Sequence, residues 1–381
     1  MRYLFETEEH AALRAQVRRW AEREVAPHAD AWEEAEEFPR SLYQSAAAAG
    51  ILGVAYPEAL GGVGGDLSHA VVAAEEMIVR GRSVGTTVGL GSHAIALPPI
   101  LRAGTEAQKA RWVPPVLRGE WVASLAITEP SGGSDVASLR TRAVRDGDHY
   151  VVNGAKTFIT SGARADLVTV AVRTGEGGHG GISLLVVERG TPGFTVGRKL
   201  KKMGWWASDT AELFFEDCRV PAENLLGDEG SGFVAIMQNF VHERVFLAAQ
   251  CVAIATLALE ESVRYVRERS AFGRPIAGFQ VVRHKLADMT TALAAARALT
   301  GEVVQRSLRG DDDAPALAAM AKNAATDMCT RVCDEAVQLH GGYGYMREYV
   351  VERLYRDARL FPIGGGTREI MNEIIAKVQG Y

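Results

Sequence analysis

The spacing of apolar residues along the first third of the chain predicts helices. In residues 6–26, apolar side chains recur among charged ones at close to a helical period. The other predicted helices of this part are 39–50, 67–80 and 105–118. The last of them is expected to break at Pro114–Pro115, because proline removes a backbone donor. The pattern therefore predicts an α-helical domain over residues 1–120.

The pattern changes near Trp121, where short runs of β-prone residues alternate with turn signals. The predicted strands are Trp121–Ile127, His149–Val152, Leu167–Val172, Ile182–Val187 and Ala211–Val220. Asn153–Gly154 is a dipeptide typical of hairpin turns, and the glycine-rich segment 175–181 is expected to be a surface loop. We therefore expect an all-β domain over residues 121–228.

The last part of the chain predicts long helices again. Residues 233–272 contain no glycine and no proline, which is enough for one helix of about 60 Å. Further helices are predicted over 279–308, 314–340 and 348–358. Such lengths favour a helical bundle, here over residues 229–381. Helical and β parts are segregated rather than alternating, so the predicted fold class is mainly α with a central β domain, not a doubly wound sheet.

Composition excludes several classes of protein. Forty-two Lys and Arg against 47 Asp and Glu leave a net charge of −5, which argues against a nucleic-acid binder. The acidic N-terminal segment lacks the apolar run of a signal peptide. The longest apolar run, Val245–Leu259, is shorter than the roughly 18 residues of a membrane span. We therefore expect a cytoplasmic enzyme that does not bind membranes.

The cysteines and histidines indicate neither disulfides nor a metal site. Four cysteines in 381 residues are too few for a disulfide framework. Cys329 and Cys333 stand four residues apart on a predicted helix, but no second pair of ligands accompanies them. Buried structural thiols are the favoured interpretation, and no metal is expected.

Three glycine-rich or hydroxyl-rich segments are candidates for binding a ligand through their backbone. Residues 128–136 (TEPSGGSDV) follow a predicted strand and expose N–H groups that could hold a phosphate or a polar ring. Residues 338–342 (QLHGG) and 364–367 (GGGT) allow a backbone to approach a ligand closely. For residues 128–136, local chemistry alone favours an ordinary Pro/Gly turn, and for the other two segments a surface turn is an equally simple explanation.

Glu243 is the most unusual single residue, because it lies on an apolar face of the long predicted helix. Its helical neighbours include Phe240, Phe246 and Leu247, and none of them is a cation. A carboxylate in such surroundings has a raised pKa and can act as a general base. The alternative is an ion pair with an arginine from another helix.

Taken together, six stretches of the chain resemble the acyl-CoA dehydrogenase family of flavoproteins. They are TEPSGGSD (128–135), NGAKTFITSG (153–162), KMGWWASDTAELFFEDCRVP (202–221), RERSAFGRPIAGFQ (267–280), QLHGGYGY (338–345) and GGGTREIM (364–371). The resemblance implies an N-terminal α-helical domain, a middle β-barrel and a C-terminal four-helix bundle. It also implies FAD as cofactor, acyl-CoA as substrate, electron-transfer flavoprotein as electron acceptor, and a homotetramer built as a dimer of dimers.

The position of the base departs from the commonest family pattern. Most members carry the catalytic glutamate immediately before the Gly-Thr pair, and that position is Gly365 here. Isovaleryl-CoA and long-chain members place it instead on the long helix within a Glu-Arg pair, which matches Glu243–Arg244. The resemblance therefore implies Glu243 as the catalytic base and closest similarity to the long-chain type. It predicts a medium- or long-chain acyl-CoA, with a branched short-chain substrate as the alternative.

The resemblance also assigns binding residues. The positions matching FAD contacts are Ile127, Thr128, Ser134, Phe158, Thr160, Arg269, Phe272, Gln280, Gln338, Gly341, Gly342, Thr367 and Glu369. Several of them reach the FAD of a neighbouring subunit in the family. The positions matching substrate contacts are Ser134, Arg244 and Gly365, the last through its backbone N–H. A different flavin activity on the same fold, or a non-enzymatic acyl-binding role, remains as an alternative.

Overall fold

The computed structural model describes residues 2–381, and its first part is helical. The helices are α1 (Glu8–Glu24), α2 (Ala29–Ala35), α3 (Ser41–Ala48), α4 (Leu67–Gly81), α5 (Val84–Leu90), α6 (His93–Ala96), α7 (Pro98–Ala103) and α8 (Glu106–Leu117). Both α1 and α4 begin with a capping box, in which Thr7 and Asp66 are the N-caps. These reciprocal hydrogen bonds satisfy donors that a helix end leaves free.

The predicted break at Pro114–Pro115 is wrong, because α8 continues through both prolines to Leu117. Each proline lacks an N–H, but the Pro114 carbonyl still accepts from the Arg118 N–H at 3.0 Å. The side chain of Trp112 is fully buried in the same helix. Packing of this apolar face therefore outweighs the two missing donors.

The middle of the chain forms one eight-stranded sheet. Its strands are β1 (Ala123–Ala126), β2 (Arg142–Asp146), β3 (His149–Thr160), β4 (Leu167–Arg173), β5 (Ile182–Glu188), β6 (Phe194–Lys199), β7 (Thr210–Pro221) and β8 (Leu225–Leu226). The order is β6-β7-β3-β2-β4-β5-β8, with β1 parallel to β4. Strands β4 and β5 are buried on both faces, which explains their continuous apolar sequence.

Asn153–Gly154 does not form the predicted hairpin turn. Strand β3 runs through this dipeptide, and its register with β7 shifts between Val152 and Gly154. The hairpin lies earlier, where Gly147 with φ +61° connects β2 to β3. A Cβ at position 154 would lie 2.6 Å from Thr141 Oγ1, so the glycine is needed for close packing rather than for a turn.

The C-terminal part is a bundle of long helices. Its elements are α9 (Gly232–Glu268), β9 (Ser270–Ala271), β10 (Arg274–Pro275), α10 (Gln280–Arg309), α11 (Ala314–His340), α12 (Val350–Ala358) and α13 (Arg368–Gln379). Helix α9 ends before the predicted Phe272, because the chain turns into the β9–β10 hairpin with Phe272 at φ +53°. The predicted fold class, mainly α with a central β domain, is confirmed.

Helix α9 forms the centre of the largest hydrophobic core. By length and composition it could cross a membrane, with a mean hydropathy of 1.5 over its best window, but 72% of that window is buried inside the protein. The apolar side chains of α9 thus pack against the surrounding elements of the protein core. Helices α5 to α7 form a second candidate span only if their 43° bend is ignored.

All four cysteines, Cys218, Cys251, Cys329 and Cys333, are buried free thiols. The interpretation of Cys329 and Cys333 as buried structural thiols is confirmed. Within residues 2–381, no group of three or more His, Cys, Asp or Glu side chains is placed to hold a metal ion.

Candidate active site

Glu243 is a half-buried carboxyl group without an ion partner on α9. Within residues 2–381 it forms no salt bridge, and its buried Oε2 atom has no hydrogen-bond partner. The alternative of an ion pair with an arginine from another helix is therefore wrong. Burial raises the pKa of Glu243 to about 7, although the charges of Arg244 and Lys322 oppose the increase. A carboxyl group with this pKa can accept a proton near neutral pH.

A turn of three glycines, Gly364–Gly366, lies directly against this carboxyl group. Gly365 has φ +66°, and a Cβ there would lie 3.4 Å from Glu243 Oε1 and 2.5 Å from Leu247 Cδ1. Gly366 has φ +97°, and a Cβ there would lie 2.7 Å from Met371 Cε. The backbone conformation and the lack of space both require glycine at these positions.

Two buried cations hold the carbonyl groups of this turn. Arg244 Nε donates to the Gly365 carbonyl at 3.3 Å, and its guanidinium group stacks on the Phe240 ring at 5.6 Å. Lys322 Nζ, from α11, donates to the Gly366 carbonyl. The Gly365 N–H, in contrast, donates to no acceptor among residues 2–381. The turn therefore presents a free N–H donor next to the Glu243 carboxyl group.

Lys322 is a site residue that the sequence pattern did not predict. It is 1% exposed, and burial lowers its pKa to about 8. Only its position on an alanine-rich helix could have indicated a special role, because a lysine among small residues is either exposed to solvent or paired with a specific partner. Its partner is a backbone carbonyl 44 residues away, which periodicity cannot indicate.

A second set of predicted residues lies at one end of the β domain. Thr128 and Phe158 come together because the Thr157 N–H donates to the Thr128 carbonyl at 2.9 Å. Phe158 has φ +61° and is 67% exposed, and Thr160 is half-buried at the end of β3. The Thr128 N–H has no acceptor within residues 2–381. Ile127 is buried beneath this group, whereas Ser134 is exposed on the adjoining loop.

A third set surrounds a cleft of about 470 Å³ at the end of α11. Its lining includes Arg269, Gln338, Gly341 and Gly342. Phe272, at the tip of the β9–β10 hairpin, is 95% exposed and lies outside the cleft. No hydrogen bond, ion pair or aromatic contact in the described part of the chain joins this set to the β-domain set.

The remaining residues predicted to bind FAD lie outside these two sets. Gln280 is exposed at the first position of α10. Thr367 is the N-cap of α13, where its hydroxyl accepts from the Ile370 N–H at 3.4 Å. Glu369 is exposed in the first turn of the same helix. Thr367 follows the glycine turn directly, so it links α13 to the surroundings of Glu243.

The residues present fit a flavin nucleotide. At the β-domain end, the free Thr128 N–H and the exposed Phe158 ring, whose residue has a left-handed backbone conformation, lie close to the half-buried Thr128 and Thr160. Such an exposed ring with positive φ is uncommon and is typical of functional sites. The cleft at α11 adds Arg269, whose guanidinium group suits a pyrophosphate.

Comparisons with known proteins agree over the whole chain. Three acyl-CoA dehydrogenase family models match it: the N-terminal domain over residues 7–120, the middle domain over 124–218 and the C-terminal domain over 230–380. An acyl-CoA dehydrogenase of Bacillus subtilis is 42% identical and is covered over 98% of its length, with 97% of this chain matched.

Two mammalian relatives differ in the substrate that their names give. The mitochondrial long-chain specific acyl-CoA dehydrogenase of Mus musculus is 42% identical, with 97% of this chain and 86% of that protein covered. The mitochondrial isobutyryl-CoA dehydrogenase of Bos taurus is 39% identical, with 94% and 86% covered.

A solved structure, that of a probable acyl-CoA dehydrogenase from Mycobacterium abscessus, is 53% identical. It superposes with a TM-score of 0.97 over 98% of this chain and 99% of that one. The arrangement of domains and the similarity along the full length lead to one conclusion, and the unpaired Glu243 carboxyl group beside the glycine turn agrees with it. The chain belongs to the acyl-CoA dehydrogenase family and is an oxidoreductase.

Proposed function

We propose that this enzyme oxidises an acyl-CoA thioester to the trans-2-enoyl-CoA, with Glu243 as the base that removes the α proton. The observation that carries the proposal is the position of the unpaired Glu243 carboxyl group against Gly365. Its raised pKa of about 7 matches the working range of a general base.

The surroundings of Glu243 support the same reaction. Removal of an α proton places negative charge on the thioester oxygen, which needs a hydrogen-bond donor. The Gly365 N–H is free for this task, and Arg244 and Lys322 hold the turn in place through the carbonyl groups of Gly365 and Gly366. Apolar neighbours on α9, including Phe240 and Leu247, exclude water and so strengthen this electrostatic interaction.

The proposal includes FAD as cofactor, held by the β-domain set and by the residues of the α11 cleft. Bound FAD supplies the acceptor for the hydrogen that leaves the β carbon. This part of the proposal has a simple test: the purified protein should show flavin absorbance with about one FAD per chain. A colourless protein that takes up no FAD would contradict it.

We propose a medium- or long-chain acyl-CoA as the substrate, with electron-transfer flavoprotein as the electron acceptor. The glutamate on α9 and the glycine before Gly-Thr support the long-chain type, as does the 42% identity to the mouse enzyme. A branched short-chain substrate is the second candidate, because the bovine relative of 39% identity is named for isobutyryl-CoA.

Anaerobic titration with straight acyl-CoAs from C4 to C18 and with branched acyl-CoAs tests the substrate class. Bleaching of the flavin should be fastest with C8 to C16 substrates. Faster bleaching by isobutyryl- or isovaleryl-CoA would favour the second candidate, and no bleaching by any thioester would contradict dehydrogenation. We further propose a cytoplasmic homotetramer, which cell fractionation and light scattering would check.

A further inference from the structure

A buried ion pair lies beneath the β-domain end of the site. Lys156 on β3 is 0% exposed and Glu129 is 5% exposed, and Lys156 Nζ lies 2.8 Å from Glu129 Oε1. Taking two charges out of water carries a desolvation penalty that their mutual attraction often does not exceed, even when both are hydrogen-bonded. Such a pair in the interior therefore needs a reason other than general stability.

The pair is connected to the backbone that precedes the TEPSGG loop. Lys156 Nζ also donates to the Ile127 carbonyl at 3.0 Å. Glu129 accepts from the backbone N–H of Arg140 at 2.6 Å and of Thr141 at 2.8 Å. The pair thus anchors both neighbours of Thr128, Ile127 through its carbonyl group and Glu129 through its own side chain.

The geometry of the peptide bond between Ile127 and Thr128 fixes the direction of the Thr128 N–H. In a trans peptide, the N–H of one residue points opposite to the carbonyl of the residue before it. Because Lys156 draws the Ile127 carbonyl into the interior, the Thr128 N–H must point outward. This N–H has no acceptor among residues 2–381, and it lies beside the outward-facing Phe158.

A β-bulge next to Lys156 reinforces the arrangement. The register of β3 with β7 shifts between Lys156 and Ile159, which leaves one extra residue in β3. Bulges redirect side chains and backbone groups at functional sites. Here the bulge points Phe158 outward, while the Thr157 N–H holds the Thr128 carbonyl at 2.9 Å.

We propose that Lys156 and Glu129 are positioning residues, which hold the Thr128 N–H in the direction of the bound flavin and so set the strength of that hydrogen bond. The inference rests on the proposed binding of FAD at this end of the β domain. Neither side chain is expected to touch the flavin. Both act through the peptide between Ile127 and Thr128.

The test compares three variants with the wild-type holoenzyme. Lys156→Met removes the buried cation, and Lys156→Met with Glu129→Gln also removes the carboxylate that would otherwise stay buried without its partner. Arg297→Met is the matched control, because Arg297 is 4% exposed and pairs with Glu75 in a different part of the fold. Unfolding temperature, FAD release and flavin reduction potential are measured for each.

Lys156→Met and Arg297→Met, which leave a carboxylate buried without its cation, should unfold at a lower temperature, but only the two Lys156 variants should change the flavin. Loss of one well-oriented hydrogen bond predicts FAD release that is about ten-fold faster. The same variants should show a shifted reduction potential and absorption envelope. Arg297→Met should keep wild-type release and potential.

Hydrogen exchange of the peptide 127–134 gives a readout that does not depend on the variants folding. In the wild-type enzyme, bound FAD should slow exchange in this peptide relative to the FAD-depleted protein. Wild-type release and potential in the Lys156 variants, or no protection of the peptide, would overturn the inference. A wild-type protein that takes up no FAD would instead contradict the proposed function, and the inference with it.

Discussion

The Glu243 carboxyl group lies directly beside Gly365, within van der Waals contact of the place where a Cβ would be. A Cβ at position 365 would lie 3.4 Å from Glu243 Oε1, although the two residues are 122 positions apart in the sequence. The commonest family pattern has its glutamate at the position of Gly365. The two positions therefore address the same region from two different elements, and Leu247, whose Cδ1 would lie 2.5 Å from that Cβ, leaves no room for a side chain at position 365.

Glu243→Gln should abolish flavin reduction while keeping the fold. Glutamine has the same shape but cannot take the α proton, and water is excluded as a substitute base. We expect the rate of anaerobic flavin reduction by acyl-CoA to fall by at least about 10⁴-fold. Glu261→Gln is the control on the same helix, since Glu261 pairs with Arg82 and Arg264. A near wild-type rate for Glu243→Gln would show that the base is elsewhere.

As pH rises, the activity of the enzyme should increase, whereas the contribution of Glu243 to its stability should decrease. Flavin reduction should accelerate as pH rises through about 7, because Glu243 must lose its proton. Its pKa is raised above the ordinary value of 4.5, so its contribution to stability is complete below pH 4.5 and is lost as pH rises through about 7.

Glu243→Gln should therefore be more stable than wild type at pH 8. A shift from 4.5 to about 7 corresponds to at most about 3 kcal/mol in the free energy of unfolding. Urea unfolding at pH 4 and pH 8 measures the difference between the two proteins. An equal difference at both pH values would argue against a raised pKa.

A glutamate moved to position 365 should support activity only if room is made for its side chain. In Glu243→Gly with Gly365→Glu, the new Cβ would lie 2.5 Å from Leu247 Cδ1, at a backbone φ of +66°. We expect little activity from the double variant and more from the triple variant with Leu247→Ala. Flavin reduction rates of the two, with Leu247→Ala alone as control, decide whether position 365 can address the same carbon.

Lys322→Met should shift the pH profile to higher pH. The positive charge of Lys322 lowers the pKa of Glu243, and its Nζ holds the Gly366 carbonyl. Without it, the midpoint of the pH–rate profile should rise and the maximal rate should fall. Lys377→Met, an exposed lysine on α13, should leave both unchanged. An unshifted midpoint in Lys322→Met would mean that its charge does not act on Glu243.

Arg269→Ala should weaken FAD binding and assembly together. Arg269 lines the cleft at the end of α11, and this cleft has no contact with the β-domain set in the same chain. If it serves the FAD of a neighbouring subunit, both properties depend on it. FAD content and light scattering should fall in step, whereas Arg267→Ala should change neither. A monomer that retains one FAD per chain would contradict the proposed assembly.

Features with strong local signals could be predicted from the sequence. The long helix was predicted to within one residue at its start, because nothing in 233–268 interrupts it. Glu243 was recognised because its helical neighbours are apolar. Helices α5 to α7 were missed, since they are short and contain Gly85, Gly89 and Pro98. Their formation depends on burial against the rest of the domain, which local sequence does not encode.

Residues of the candidate site could be predicted only where a pattern within one segment of the sequence indicates them. Lys322 and Gly366 meet through tertiary packing, and neither sequence neighbourhood indicates the other. The Asn153–Gly154 prediction was wrong for a related reason. A glycine required by the approach of Thr141 has the same local signature as a glycine required by a turn.

The burial of all four native thiols makes the protein a suitable background for site-specific labelling. Maleimide reagents modify exposed thiolates, and Cys218, Cys251, Cys329 and Cys333 have no exposed surface. A cysteine introduced in place of the 99% exposed Leu4, which lies outside the proposed FAD and substrate positions, should thus be the single reactive site in the native protein. Spin labels attached there would give distances between subunits directly, without first removing any native residue.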